Sequence, residues 1–262
     1  MQASSSTPSP WLARLAALAT AILLWQVVVW SGWKPVWLLP SPLTVFLRLA
    51  TLATEPAFYW AIFYTLVRAV SGYAMAVGIG VASALLMLRF RLLRTTVAGL
   101  LTGLQSMPSV IWFPLAILLF QLGEGAILFV VVLGAFPSIA NGLLHSIDHI
   151  PPLWIRAGKM LGARGWSLVA HVYLPAAMPG FVGGLKQGWA FAWRSLMAGE
   201  LLVIISDRPS IGTRLSFARE LSDAPDLLAW MIVVLGIGML VDGLLFSTIE
   251  RRIRIKRGLF ET

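Results

Sequence analysis

The fold of this chain is decided by residues 125–147, GAILFVVVLGAFPSIANGLLHSI, a stretch without Asp, Glu, Lys or Arg. A helix needs about 20 apolar residues, at 1.5 Å per residue, to cross a hydrocarbon core of roughly 30 Å. Similar uncharged runs cover residues 15–33, 69–88, 95–123 and 165–185, and a shorter one covers 227–241. The sequence therefore predicts an all-α integral membrane protein with six transmembrane helices.

Composition supports a membrane protein and excludes an ordinary soluble enzyme. The 262 residues are 58% hydrophobic and only 12% charged, against roughly 25% charged in soluble domains. The net charge of +9 comes from short basic clusters between long uncharged runs, which is typical of membrane topology. We therefore expect a bilayer and no nucleic acid as the partner of these positive charges. The chain has no cysteine, so disulfides and cysteine-ligated metals are excluded.

The basic clusters also predict the orientation and the organisation of the chain. With both termini in the cytoplasm, the cytoplasmic segments 89–94, 146–175 and 248–262 hold eleven Lys and Arg residues, against five in the outer segments. The predicted spans are Trp11–Trp30, Phe58–Leu86, Thr95–Leu122, Ala126–Leu144, Ala176–Ile205 and Leu227–Phe246. The predicted regions are a mobile cytoplasmic tail (1–10), a first transmembrane helix with an outer linker (11–57), a core (58–247) and a basic cytoplasmic tail (248–262).

Two details of this plan depend on proline. Pro35, Pro40 and Pro42 lie in the outer linker, before a short helix predicted from Leu43 to about Thr54. Pro108 and Pro114 interrupt the span Thr95–Leu122, because proline lacks a backbone N–H. We expect a single broken helix there, since a double crossing would move the loop 146–175 to the outside.

The loop 146–175 carries the most informative pattern of the chain. It contains Ile155-Arg156-Ala157-Gly158-Lys159-Met160-Leu161-Gly162-Ala163, followed by Val172-Tyr173-Leu174-Pro175. Small side chains on a short helix allow another surface to approach closely. Gly162 can end that helix, and Leu174-Pro175 can begin the next. A plain amphipathic helix at the membrane surface would also fit the pattern.

This loop resembles the cytoplasmic signature of binding-protein-dependent ABC importer permeases: Glu-Ala-Ala, three residues, Gly, and a later Leu-Pro pair. Further segments resemble the nitrate, sulfonate, taurine and bicarbonate branch of that family: Leu38–Pro42, Pro108–Ile117, Leu122–Glu124 and Ala198–Glu200. The order and spacing of these segments match over roughly residues 36–255. The chain departs from the signature at Arg156, where the family has Glu, and at Gly158, where it has Ala.

The resemblance implies a type I permease core whose coupling helix sits in a groove on an ATPase subunit. It implies two ATPase copies that hold ATP and Mg, a second permease copy as a homodimer, and a periplasmic or lipid-anchored substrate-binding protein. The location implied is the bacterial cytoplasmic (inner) membrane, and the chain itself would be no enzyme and hold no cofactor. The residues that this implies for coupling are Arg156, Ala157, Gly158, Lys159, Leu161, Gly162, Ala163, Leu174 and Pro175.

Ionisable residues inside the predicted spans are the second candidate site. A cation in hydrocarbon costs at least a few kcal/mol, so such groups usually face a cavity or a partner. Lys186, Ala190 and Arg194 are spaced i, i+4, i+8, which places both cations on one helix face. Two interpretations remain open: the charges pair and hold helices together, or they line a path for an anion. The candidate path residues are Arg68, Lys186, Trp189, Trp193, Arg194 and Glu200, with Asp242 as a further acid that needs a partner.

The resemblance favours the path, because the branch imports small anions and has residues that match Arg68, Lys186 and Glu200. We expect the permease subunit of an importer for a small anion, with an organosulfonate favoured and nitrate, taurine or bicarbonate as further candidates. Its outer docking surface would comprise residues 31–57 and 206–225. The alternative is a small dimeric ion-coupled secondary transporter. No catalytic site is indicated, and no metal site is expected at His145 and His149, although they lie four residues apart.

Overall fold

A computed structural model describes residues 10–256, with side chains for residues 12–13, 15–90, 92–253 and 255. The predicted mobile tail at 1–10 lies outside this range except for Pro10, and so does the last part of the predicted basic tail. Every regular element in the described range is helical. The helices are α1 (Pro10–Trp30), α2 (Pro42–Leu52), α3 (Pro56–Arg89), α4 (Arg91–Ser106), α5 (Phe113–Phe120), α6 (Glu124–Asp148), α7 (Pro152–Met160), α8 (Trp166–Leu168), α9 (Leu174–Leu202), α10 (Ile211–Glu220), α11 (Ala224–Leu240) and α12 (Ser247–Lys256).

Within residues 10–256, four helices are long and apolar enough to cross a membrane. They cover Pro56–Arg89, Glu124–Asp148, Trp166–Leu202 and Ala224–Ile253, because π-helical turns join α8 to α9 and α11 to α12. The apolar part of α1, Leu15–Trp30, is shorter. α4 and α5 add a fifth span if they are counted together. The all-helical membrane architecture is confirmed, and the count of six spans stays a prediction.

The predicted break in the third span occurs at Pro108 and is sharper than a kink. Leu92–Ser106 and Ser109–Phe120 meet at 102°, a geometry that fits a broken span or a re-entrant loop. Met107 is extended, with φ −77° and ψ 134°, as the residue before a proline prefers. The expectation that Pro114 also interrupts the helix is wrong. Pro114 occupies the first turn of α5, where the missing N–H has no intrahelical partner to lose.

The predicted helix start at Leu174-Pro175 is confirmed, because α9 begins at Leu174 with Pro175 in its first turn. The helical path nevertheless extends back beyond this start, from Trp166 to Leu202. A π-helical turn, Val169–Tyr173, directly precedes the pair. Such a widened turn changes the hydrogen-bond register of the helix, so the chain passes Pro175 without leaving the helical path.

The chain divides into two compact units. One comprises the described part of Met1–Tyr59 together with Arg214–Val233. In it, Arg48 on α2 pairs with Asp226 on α11 at 2.7 Å, and the ring of Phe58 packs on that of Trp230 with centroids 5.1 Å apart.

The other unit, Trp60–Thr213 with the described part of Val234–Thr262, contains the hydrophobic core. Its centre is the crossing of α6 and α9. A Cβ on Gly142 would lie 2.5 Å from the Cα of Gly184, so the two backbones touch at this point. Glycine pairs of this kind allow close packing of membrane helices.

Candidate functional site

A buried ionic cluster surrounds Glu200 near the end of α9. The Glu200 side chain is fully buried, and Arg68 Nη1 on α3 donates to its Oε1 at 3.1 Å. Thr65, one turn before Arg68, places its Oγ1 2.9 Å from Glu200 Oε2. The backbone N–H of Gly212, in the first turn of α10, donates to the same oxygen at 3.1 Å. The carboxylate therefore joins three segments that are distant in sequence.

Glu124, the first residue of α6, extends this cluster toward the surface. Its Oε1 accepts from Arg68 Nη2 at 3.2 Å and from Arg208 Nη1 at 2.8 Å. Arg68 Nη2 also lies 3.4 Å from the carbonyl of Arg208. Two guanidinium groups and two carboxylates thus balance in charge. Since breaking a buried pair leaves an uncompensated charge, each member of this cluster depends on its partner, and the cluster offers no excess positive charge to a passing anion.

Four of the six predicted path residues come together elsewhere, along α9. Lys186, Trp189, Trp193 and Arg194 line a cavity of about 430 Å³. Asp242, in the π-helical turn after α11, lines the same cavity and pairs with Lys186 Nζ at 3.0 Å. The remaining two predicted residues, Arg68 and Glu200, belong to the ionic cluster instead. The structure therefore shows ion pairs for Arg68 and for Lys186. Pairing was one of the two interpretations that the sequence left open.

Arg194 supplies the uncompensated positive charge of this cavity. No described carboxylate forms an ion pair with it, and its guanidinium lies 5.8 Å from the ring centroid of Phe191. The indole rings of Trp189 and Trp193 are nearly parallel, at 18° with centroids 6.2 Å apart, and both residues are at most 9% exposed. The ring of Tyr73 also packs edge-on against the ring of Trp189, with the two centroids 5.3 Å apart. The cavity combines one free cation, one paired cation and flat apolar walls.

A second, larger cavity of about 860 Å³ lies between α4, α6 and α9. Its lining includes neutral hydrogen-bonding side chains that the sequence did not single out: Thr102, Gln105, Ser138, Asn141 and Gln187. Asn141 Nδ2 donates to Gln105 Oε1 at 3.1 Å. The hydroxyl of Ser138 is buried without a hydrogen-bond partner in the described part of the chain. Gln187 lines both cavities, so the two cavities adjoin along α9.

The loop between α6 and α9 forms the short helix α7 and a turn. α7 ends at Met160, and Gly162 follows with φ 90°, a left-handed conformation that favours glycine. Exposed along this segment are Arg156, Ala157, Lys159, Leu161 and Gly162, while Ala163 and Leu174 are half-buried and Pro175 is exposed.

Gly158 does not belong to the exposed surface of that loop. A Cβ at Gly158 would lie 2.6 Å from Val172 Cγ2, so this residue packs α7 against its own chain. Beside the charged Arg156 and Lys159, the exposed surface of α7 carries three apolar side chains: Leu153, Trp154 and Met160 are 72%, 52% and 88% exposed. The sequence analysis missed these three residues, although a run of apolar residues on a short helix outside the spans would have identified them.

Together, these features define a helical membrane protein with cavities between its helices and a short, partly apolar, exposed helix between two spans. The comparison with known proteins gives the class: residues 74–255 match the binding-protein-dependent transport system inner membrane component family. The chain belongs to this family of ABC transporter permeases. This finding confirms the resemblance inferred from the loop and segment motifs.

Individual relatives agree. A putative ABC transporter permease protein of Methanocaldococcus jannaschii is 30% identical over 67% of this chain and 65% of its own length. A putative aliphatic sulfonates transport permease protein of Bacillus subtilis is 24% identical over 96% of this chain and 90% of its own. In fold, the chain is similar to an inward-facing MetNI methionine ABC transporter, with a TM-score of 0.65 and 19% identity over 76% of this chain and 99% of that chain.

Proposed function

We propose that this chain is the permease of an ABC importer for a small anion, with an organosulfonate favoured and nitrate, taurine or bicarbonate as further candidates. The observation that carries the substrate class is the α9 cavity. Arg194 and Lys186 supply positive charge for a sulfonate, and the indoles of Trp189 and Trp193 supply apolar walls for its organic part. A guanidinium binds a planar or tetrahedral oxyanion through several donors at once.

The path continues from that cavity into the larger one, with which it shares the lining residue Gln187. Amide and hydroxyl groups there can replace water around an anion without holding it strongly. An anion therefore meets a cationic cavity first and then a cavity in which the lining residues Arg94 and Asp148 pair with each other. Such a gradient favours entry and still permits release, as conduction requires.

A second copy of the chain is proposed to cover this face. Lys186 lies near the middle of the 37-residue helix Trp166–Leu202, and the Lys186 and Asp242 side chains are 39% and 51% exposed. Charged side chains at this depth are not left facing lipid. A homodimer would enclose them around a shared aqueous path. It would also provide two copies of α7, one for each of two ATPase subunits that hold ATP and Mg.

Coupling to the ATPase is proposed through α7 and its turn, residues 152–163. The exposed surface of Leu153, Trp154, Met160 and Leu161 is apolar, and surfaces of this kind mark protein contacts when they are not covered by lipid. Arg156 and Lys159 flank the surface with positive charge, so an acidic residue is expected in the ATPase groove. The proposed topology has six spans in the bacterial cytoplasmic membrane with both termini in the cytoplasm. A binding protein would then dock on the outer segments 31–57 and 206–225.

The experiment measures uptake of labelled organosulfonate into proteoliposomes that contain the permease, its ATPase and its binding protein. The labelled organosulfonate is supplied bound to the binding protein. We expect Arg194→Gln and Lys186→Ala to slow uptake while the complex assembles normally. Arg251→Gln, an exposed arginine on α12, is the matched control. Unchanged uptake in Arg194→Gln would contradict the assigned path, and stable transport by the permease without any ATPase would favour an ion-coupled secondary transporter.

A further inference from the structure

A third cavity, of about 1040 Å³, lies where α3 ends and α4 begins. It shares Arg94 and Asp148 with the cavity of about 860 Å³, and Pro152 and Ile155 of α7 also line it. Its lining comes from the last part of α3, the end of α6, the start of α7 and the start of the helix that leads into α9. We refer to it as the Arg89 cavity. The lining residues that matter below are Ala82, Leu85, Leu86, Arg89, Arg94 and Trp166.

The apolar wall of the Arg89 cavity extends into the membrane. Ala82 lies seven residues before Arg89 on a continuous helix, which places it about 10 Å further from the helix end. Leu86 is 52% exposed on this wall. A water-soluble subunit cannot reach apolar side chains at that depth inside a span, but a hydrocarbon chain of the bilayer can. The wall therefore fits an acyl chain.

The mouth of the Arg89 cavity is basic. Arg89 is exposed and forms no ion pair with a described residue, while Arg94 pairs with Asp148. Among the residues that line the cavity, Arg89 and Arg94 face a single carboxylate, Asp148, so the mouth has a net positive charge. Trp166, 67% exposed at the rim, is an aromatic residue of the kind that concentrates at headgroup depth. Basic pockets between membrane helices bind the headgroups of anionic lipids.

We propose that the Arg89 cavity is a binding site for an anionic phospholipid. The phosphate contacts Arg89 and the donors of Arg94 that Asp148 does not use, and one acyl chain lies along Ala82, Leu85 and Leu86. The guanidinium fork of arginine can bind two phosphate oxygens at once. Each buried CH₂ group of the acyl chain adds to the affinity, so headgroup and chain contribute together.

The test is lipid binding to the purified full-length chain together with the subunits that co-purify with it. The protein is exchanged into mixed micelles of phosphatidylglycerol and phosphatidylethanolamine, and retained lipid is counted by native mass spectrometry. The parent is expected to retain phosphatidylglycerol in preference. Arg89→Gln should weaken that binding about fivefold, as expected for one cation at an anionic surface. Ala82→Trp, which fills the apolar wall, should remove both lipids.

Two variants serve as controls: Arg251→Gln, an exposed arginine on α12, and Leu118→Trp, at an exposed position on α5. Both lie outside the Arg89 cavity and should bind lipid as the parent does. Equal retention of phosphatidylglycerol by Arg89→Gln and the parent would overturn the proposal. Equal affinity of the parent for the two lipids would also overturn it, because the site would then recognise only an acyl chain. Occupation of the cavity by an ATPase subunit in a lipid-free complex would overturn the proposal as well.

Discussion

The ionic cluster around Glu200 provides the sharpest energetic test of this structure. Arg68 Nη1 and Glu200 Oε1 are 3.1 Å apart, with side chains 4% and 0% exposed. Arg68→Met removes the cation and leaves the buried Glu200 without its counter-ion, held only by the Thr65 hydroxyl and the Gly212 N–H. Loss of one partner of a buried pair costs about 3–5 kcal/mol. At roughly 2–4 °C per kcal/mol for a chain of this size, the midpoint of thermal unfolding should fall by about 6–20 °C.

The double variant Arg68→Met, Glu200→Gln should recover most of that loss. It removes both charges and keeps the pair of Glu124 and Arg208 at 2.8 Å. The assay follows the monodisperse fraction of detergent-solubilised protein after heating, for the parent, both single variants and the double variant. A coupling energy of about 2 kcal/mol or more is expected between contacting residues of one network. Additive losses in the double variant would refute the assignment of Arg68 and Glu200 as a coupled pair.

The remaining predictions concern helix packing, the turn after α7 and the pair in the first unit. Gly184→Ala should lower the yield of folded protein, because its Cβ would lie 2.7 Å from the Cα of Gly142; Gly183→Ala, with open space around its Cβ, is the matched control. Equal yields by fluorescence-detected chromatography would contradict this close crossing. Gly162→Pro should separate ATP hydrolysis from uptake in the reconstituted transporter, because proline cannot adopt φ 90°; preserved coupling would make the loop a simple connection. Arg48→Ala should lower stability by only about 1 kcal/mol, because its ion pair is partly exposed; a loss of several kcal/mol in the same heating assay would contradict that estimate.

The helices were predictable where uncharged runs end at charges or prolines. The predicted second span, Phe58–Leu86, became Pro56–Arg89, and the predicted fourth, Ala126–Leu144, became Glu124–Asp148. Each gained only a few residues at its ends, because helices continue into the polar layer until a cap or a proline stops them. The π-helical turn before Pro175 was not predictable, since proline usually marks a helix start.

The candidate site was only partly predictable for a different reason. Helical periodicity placed Lys186 and Arg194 on one face, and both line the α9 cavity. Partners across helices carry no such local pattern: Arg68 and Glu200 are 132 residues apart in the chain. The role of Glu124 could not be inferred from spacing for the same reason. Its position in a segment typical of the family was the only indication that it mattered.

The proposal depends most on the location and partner of the segment 152–163. Because the chain contains no cysteine, a single Leu161→Cys substitution, at a position 89% exposed, reports on this segment without background. Membrane-impermeant maleimide should label it in inside-out vesicles and not in intact spheroplasts, and the ATPase subunit should protect it from labelling. Labelling from the outside of spheroplasts would contradict the orientation, and with it the proposed coupling to an ATPase.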